Sequence, residues 1–126
     1  MKKLLLLFLT LFVSTDILIA QKESWNWYFG NHAALNFSTG TPVPLLNSAL
    51  YGLEGTASIS DSSGNLLFYT NGNVVYDSTH NLMQLGTGLS GNNSSTQSAL
   101  IVKKPGSDSL YFLFTVDYGY LLRGST

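Results

Sequence analysis

The sequence predicts an all-β protein made of antiparallel meanders, and three observations predict it. Between Glu54 and Asp77 two tight-turn signals, Asp61-Ser62-Ser63-Gly64 and Asn71-Gly72, separate runs rich in β-branched and aromatic residues. Those runs are apolar on both faces, as strands covered from two sides are. No stretch beyond the first twenty residues sustains a helical period.

Residues 1–20 read as an export signal. Lys2 and Lys3 form a basic start, Leu4 to Val13 an apolar run, and Leu18-Ile19-Ala20 ends on the small residue that a signal peptidase prefers. The competing reading is a membrane anchor. Asp16 interrupts the apolar run, which falls short of the roughly 20 residues that a span needs. The domain is expected over residues 21–126, with Gln21 as the mature start.

Ser24 to Gly30 (Ser-Trp-Asn-Trp-Tyr-Phe-Gly) places four large side chains near that start, which must be tied down. Ala33 to Phe37 reads as a short strand, and Pro42 and Pro44 make Val43 to Leu46 an edge or loop segment. The meander follows. A two-residue loop at Asn71-Gly72 sets Phe68 opposite Val75 and Tyr69 opposite Val74. Leu67, Tyr69, Val74 and Tyr76 then share one face, and Leu66, Phe68 and Val75 the other. Asn81 to Gln84 is expected as a short fourth strand, Leu85 to Ser95 as a loop, and Gln97 to Lys103 and Leu110 to Val116 as two further strands around a turn at Lys104 to Asp108.

The pattern repeats. Thr56–Ser60 and Leu66–Thr70 resemble Ser98–Val102 and Tyr111–Thr115, with Thr70 and Thr115 45 positions apart. That is the length of one propeller blade, roughly 40–50 residues. Blades stack face to face, so their strands are apolar on both sides. The expected architecture is a partial β-propeller of about two blades, the amino-terminal part of a longer chain. The alternative is a small β-sandwich of about seven strands.

Trp27-Tyr28-Phe29-Gly30-Asn31 with Leu35-Asn36-Phe37, Glu54-Gly55, Ser60-Asp61, Gly64 to Thr70, Gly86-Thr87-Gly88-Leu89, Ser94 to Ala99 and Lys104-Pro105-Gly106 together resemble the amino-terminal region of large secreted Bacteroidetes proteins. Those proteins have a WD40-like β-propeller, PKD-type repeats and a gliding-motility-associated, type IX secretion sorting domain. The resemblance covers Trp25 to Asp117. It departs at Ala34, where Gly is expected, at Thr56, where Cys is frequent, and at Tyr76, where Trp is expected. It implies export to the cell surface or medium, a following remainder of the parent chain, and no particular reaction or ligand.

Composition narrows function further. The formal net charge is −1, with no basic patch to hold nucleic acid, and the absence of cysteine removes disulfides, thiolate metal sites and cysteine nucleophiles. His32 and His80 are the only histidines. Ser78, His80 and an Asp could be written as a triad, but no nucleophile elbow accompanies them, and His80 reads as a turn residue bonded to nearby backbone. Asp61, Asp77 and Asp108 sit at turns, where Asp caps the backbone. Glu54 and Asp117 are the ligand-site candidates, as strand-end acids. No catalytic residue, metal ligand or cofactor is assigned. The reading is a non-enzymatic interaction or adhesion module at the cell surface, its partner a surface protein or a glycan. The alternative is a fragment of a glycosidase-like propeller enzyme, which needs two carboxylates about 5–10 Å apart.

Overall fold

The computed structural model describes residues 22–117, so residues 1–20, expected as an export signal, and the residues after Asp117 lie outside the described residues. Behind a 3-10 turn at Lys22–Ser24 come eight strands in three antiparallel sheets. Sheet 1 holds β1 (Asn26–Phe29), β2 (Ala33–Asn36) and β3 (Val43–Leu45) in that order. Sheet 2 holds β4 (Ala57–Ser60), β5 (Leu66–Thr70) and β6 (Val75–Asp77), and sheet 3 holds β7 (Ala99–Lys103) and β8 (Tyr111–Thr115). The chain is all-β, and its sheets do not close on one another. The two expected blades are sheets 2 and 3. The segment ahead of them makes a sheet of its own, with Pro44 on the edge strand as a residue without an amide hydrogen requires.

Both faces of sheet 2 are used. Toward sheet 1, Tyr69 is 0% exposed and its ring stacks on Tyr28 at 4.2 Å between centroids and on Tyr76 at 5.3 Å. Ala34 and Leu50 complete this core, with Leu45 and Leu66 against it. Toward sheet 3, Phe68 meets the edge of Tyr111 at 5.5 Å.

The Asn71-Gly72 loop is longer than the sequence suggests. Tyr69 pairs with Tyr76 and Thr70 with Val75, leaving four residues, Asn71 to Val74, in the loop. Asn71 closes it with its side chain: Oδ1 accepts the amides of Asn73 (3.0 Å) and Val74 (3.1 Å). Of the loop residues only Gly72 takes a positive φ, +89°, where a two-residue type I′ turn needs two. The register moves by two residues, so Phe68, Tyr69, Val75 and Tyr76 keep their expected faces, while the bulge opposite Ile59/Ser60 turns Leu66 from the expected Phe68 face to the Tyr69 core.

Two turns share one chemistry. In Asp61-Ser62-Ser63-Gly64-Asn65 the Asp61 carboxylate accepts the amides of Ser63 (2.8 Å) and Asn65 (2.9 Å), and Gly64 stands at φ +92°. In Asp77-Ser78-Thr79-His80-Asn81 the Asp77 carboxylate accepts those of Thr79 (2.8 Å) and Asn81 (3.0 Å), with His80 at φ +67° in the glycine's place. The Asn65 side-chain amide donating to Asp61 and the Thr79 hydroxyl donating to Asp77, together with these backbone bonds, hold both carboxyls below the ordinary Asp range. The fourth strand after the second turn is reduced to a single bridge, Tyr76 to Leu82. Only the amides of Asp77 and Met83 and the carbonyl of Gly86 bond across at that edge, through Asn81 O, Val75 O and Val75 N.

The repeat keeps its pairing in the two sheets: Thr70 lies opposite Ala57, and Thr115 opposite Ala99. Ile59, Phe68 and Val75 look toward sheet 3, while Tyr111 and Leu113 look back at them across one shared cleft. Thr115 pairs with Ala99 on that inward face, whereas the face turned away bears Leu100 paired with Phe114 and Val102 with Phe112. Thr70, paired with Ala57, stands on the face of sheet 2 that looks toward sheet 3, so the two matching pairs are turned to opposite sides of their sheets.

Candidate functional site

Two regions gather side chains of chemical interest. The first is a groove of about 460 Å³ running across the opening strands β1, β4 and β7. Its walls are built by a ladder of hydroxyls. Thr56, Ser58 and Ser60 alternate along one strand face, which points them all at the free edge of β1. Thr56 Oγ1 donates to Tyr28 O at 3.0 Å, and Ser58 Oγ donates to Asn26 O at 2.7 Å. Asn26 Nδ2 donates to Ser60 Oγ at 2.9 Å and to Gly64 O at 2.9 Å. The edge that would otherwise invite another strand is thus satisfied by side chains, and sheet 1 is fixed against sheet 2.

Inside this frame the groove is lined by Trp27, Phe29, Ile59, Leu100 and Ile101, with Glu23 at its polar margin. Trp27 is 52% exposed although its indole N–H donates to Ser24 O at 2.7 Å and its ring lies against Phe37. The backbone of Trp25 to Phe29 is tied down as expected, but only Tyr28 and Asn26 turn inward. Trp27 and Phe29 stay open because they are the odd positions of a strand covered on one face. The alternation Trp-Asn-Trp-Tyr-Phe holds that signal, hidden by the aromatic residue at nearly every position.

The second region is a knot of loops where sheets 2 and 3 meet. Asn93 O accepts the amides of Leu53 (3.2 Å) and Glu54 (3.1 Å), and Asn92 N donates to Val116 O at 3.1 Å. Glu54 and Asp117 therefore flank one loop, and both are exposed. Glu54 Oε2 accepts from Thr96 Oγ1 at 3.1 Å. Asn71 Nδ2 donates to Tyr51 O at 2.7 Å, Asn73 Nδ2 to Gly91 O at 2.8 Å, and Ser98 Oγ to Gly55 O.

His80 belongs to neither region. Its turn sends the ring back over the tyrosine stack, where Nδ1 lies 3.1 Å from Tyr69 Oη and Nε2 lies 2.7 Å from Asn47 Nδ2. Asn47 Oδ1 accepts from Tyr28 Oη, which leaves the Asn47 Nδ2 group facing His80. Tyr69 Oη also accepts the Ala49 amide at 3.1 Å. Burial raises the pKa of both Tyr28 and Tyr69. The His80 amide donates to Asp77 O at 3.0 Å, the nearby backbone bond expected of a turn residue, while its ring meets these remote side chains. A Ser78–His80–Asp77 triad has no geometric basis: both ring nitrogens are engaged elsewhere, and Asp77 is committed to its turn. His32 Nδ1 lies 2.8 Å from Ser48 O.

Among the described residues no group of three or more His, Cys, Asp or Glu is placed to hold a metal, and no helix is long and apolar enough to cross a membrane. Comparison with protein-family models, characterised proteins and solved structures gives no match.

Proposed function

We propose that this chain is the leading part of a longer exported polypeptide and acts as a non-enzymatic contact module for a surface protein or glycan. The export reading comes from Lys2-Lys3, the apolar run and Ala20. The observation that carries the contact reading is the groove across β1, β4 and β7. It is framed rigidly by the hydroxyl ladder and keeps a half-exposed Trp27 beside Phe29 and Glu23. An exposed aromatic face flanked by a carboxylate suits a sugar ring or an aromatic or basic side chain. Binding of the labelled chain to a glycan panel and to envelope proteins tests it. Trp27→Ala should abolish the binding while leaving the melting curve close to wild type. Binding that survives Trp27→Ala would refute the groove.

The placement of Glu54 and Asp117 around Asn92-Asn93 favours a second reading, part of a carbohydrate-active enzyme. Glycoside hydrolysis lost in both Glu54→Gln and Asp117→Asn would establish it. Hydrolysis unaffected by either change would dismiss these two acids.

A further inference from the structure

Asn71-Gly72 is the only Asn-Gly pair in the chain, and the pair carries a reaction of its own as well as a turn. Glycine has no side chain to obstruct attack by its nitrogen on the side-chain amide before it, and asparagine is a thermolabile residue. In that reaction the Gly72 nitrogen gives its proton to solvent and bonds to Asn71 Cγ. The Cγ–Nδ2 bond breaks, and Nδ2 leaves as ammonia with a proton taken from solvent. A cyclic imide results. Water then opens the ring at one of its carbonyls. The product is aspartate with the original backbone, or isoaspartate with the chain rerouted through Cβ and Cγ. Ammonia is lost, water is gained, and nothing is oxidised or reduced.

The fold holds both reacting groups. The Gly72 amide donates to Thr70 Oγ1 at 3.0 Å, and Thr70 Oγ1 donates onward to Val74 O at 2.6 Å. Asn71 Oδ1 accepts the Asn73 and Val74 amides, and Nδ2 donates to Tyr51 O at 2.7 Å. Both residues are buried, Asn71 with 6% exposure. Attack requires the Gly72 nitrogen to give up Thr70, and departure of Nδ2 requires it to give up Tyr51. The loop has little room to shift instead. A β-carbon at Gly72 would stand 2.7 Å from Ser98 O, and one at Gly91 would stand 2.3 Å from Gly72 O.

The products do not fit the loop that made them. Aspartate at position 71 still offers an acceptor to the Asn73 and Val74 amides. It loses the donor to Tyr51 O and turns a carboxylate oxygen on that carbonyl in a buried place, which is costly. Isoaspartate adds a backbone atom where the loop already packs on Ser98 and Gly91.

We propose that Asn71-Gly72 is a latent site of spontaneous imide formation, latched by the native contacts of its loop and released when the junction of sheets 2 and 3 opens, after which the loop is altered irreversibly. The site is independent of the groove, of export and of any partner.

The full chain is held at mildly alkaline pH, native and in urea, and each site is followed by peptide mapping with mass spectrometry. Asn93-Ser94 is the internal reference. In urea, Asn71 should convert first and give isoaspartate as well as aspartate. In the native chain its conversion should be slower by about tenfold or more, because only opened molecules react, and its lead over Asn93 should vanish. Thr70→Val should speed the native conversion several-fold and leave the rate in urea unchanged. Asn71→Asp, the product made directly, should melt below Asn93→Asp. Equal rates at Asn71 in the native chain and in urea would overturn the latch. Conversion in urea no faster at Asn71 than at Asn93 would overturn the site itself. An Asn71→Asp chain as stable as Asn93→Asp would remove the lasting effect on the loop.

Discussion

Replacing Gly72 by Ala tests how sheets 2 and 3 are joined. Gly72 holds φ +89°, and a β-carbon placed there would stand 2.7 Å from Ser98 O, 3.1 Å from Ser98 Cβ and 3.2 Å from Ser98 C. The neighbour is backbone and cannot swing aside as a side chain can. A left-handed conformation costs a residue with a β-carbon about 1–2 kcal/mol. Ser98 O also accepts the Val116 amide at 3.1 Å, and displacing it puts that bond at risk, worth about 0.5–1.5 kcal/mol. The combined loss is about 2–3 kcal/mol, and a β-branched Val should lose more. Gly88 is the control: it holds φ +73° with nothing within 4 Å of a built β-carbon, so Gly88→Ala meets the backbone strain alone. Urea unfolding followed by fluorescence of Trp25 and Trp27 measures both variants. Equal losses for Gly72→Ala and Gly88→Ala would refute the close approach of the Asn71–Val74 loop to Ser98.

Tyr69→Phe should cost about 1–3 kcal/mol, because the Ala49 amide loses its acceptor and His80 Nδ1 loses its hydrogen-bond partner; thermal melting of the variant measures it. Burial raises the Tyr28 and Tyr69 pKa values above the ordinary 10.0, so folding favours their protonated forms. Their contribution to stability is therefore complete below pH 10.0 and is lost as pH rises beyond it through the folded values, and alkaline melts should show the loss diminished in Tyr69→Phe. Export predicts that protein recovered from the envelope or medium begins near Gln21; amino-terminal sequencing that finds Met1 on exported protein would contradict it.

Local chemistry in this chain is plain in the sequence, and the relations between sheets are less so. Asp61 with Gly64, and Pro44 on its edge, specify their backbone through their own side chains, and both behave as read. The two-faced strand Leu66–Thr70 likewise announces cover on both sides, and Tyr28 and Tyr111 provide it. What was hidden depends on partners remote in sequence. Asn71-Gly72 carries the signature of a two-residue turn, but Asn71 also reaches Tyr51 O, and the wider loop lets it do both. The repeat of Thr70 and Thr115 holds in pairing, each opposite an alanine, but the side of the sheet each one faces depends on how the sheets stack, and the bulge at Ile59/Ser60 that turns Leu66 inward leaves no mark in the sequence. His80 read as a turn residue, and it is one. Its contacts with Asn47 and Tyr69 lie 33 and 11 residues away, across a fold that no local pattern encodes. The hydroxyl ladder did leave a trace, the alternation Thr56, Ser58, Ser60. Its meaning depended on knowing which edge lay opposite.

Among the described residues, the face of sheet 3 turned away from sheet 2 is apolar and half exposed. Each of Leu100, Val102, Phe112 and Phe114 left half exposed forgoes part of the roughly 1.5–3 kcal/mol that full burial of such a side chain returns, within a net stability of only about 5–15 kcal/mol. Size-exclusion chromatography of the chain from Gln21 to Thr126, loaded over a wide concentration range and paired with a thermal melt, tests this most directly. The expected result is elution that moves earlier as concentration rises, and a broad melt, with both the shift and the aggregation reduced by Phe112→Ser combined with Phe114→Ser. A monodisperse monomer with a sharp cooperative melt, unchanged by that pair of substitutions, would contradict it and favour a closed sandwich.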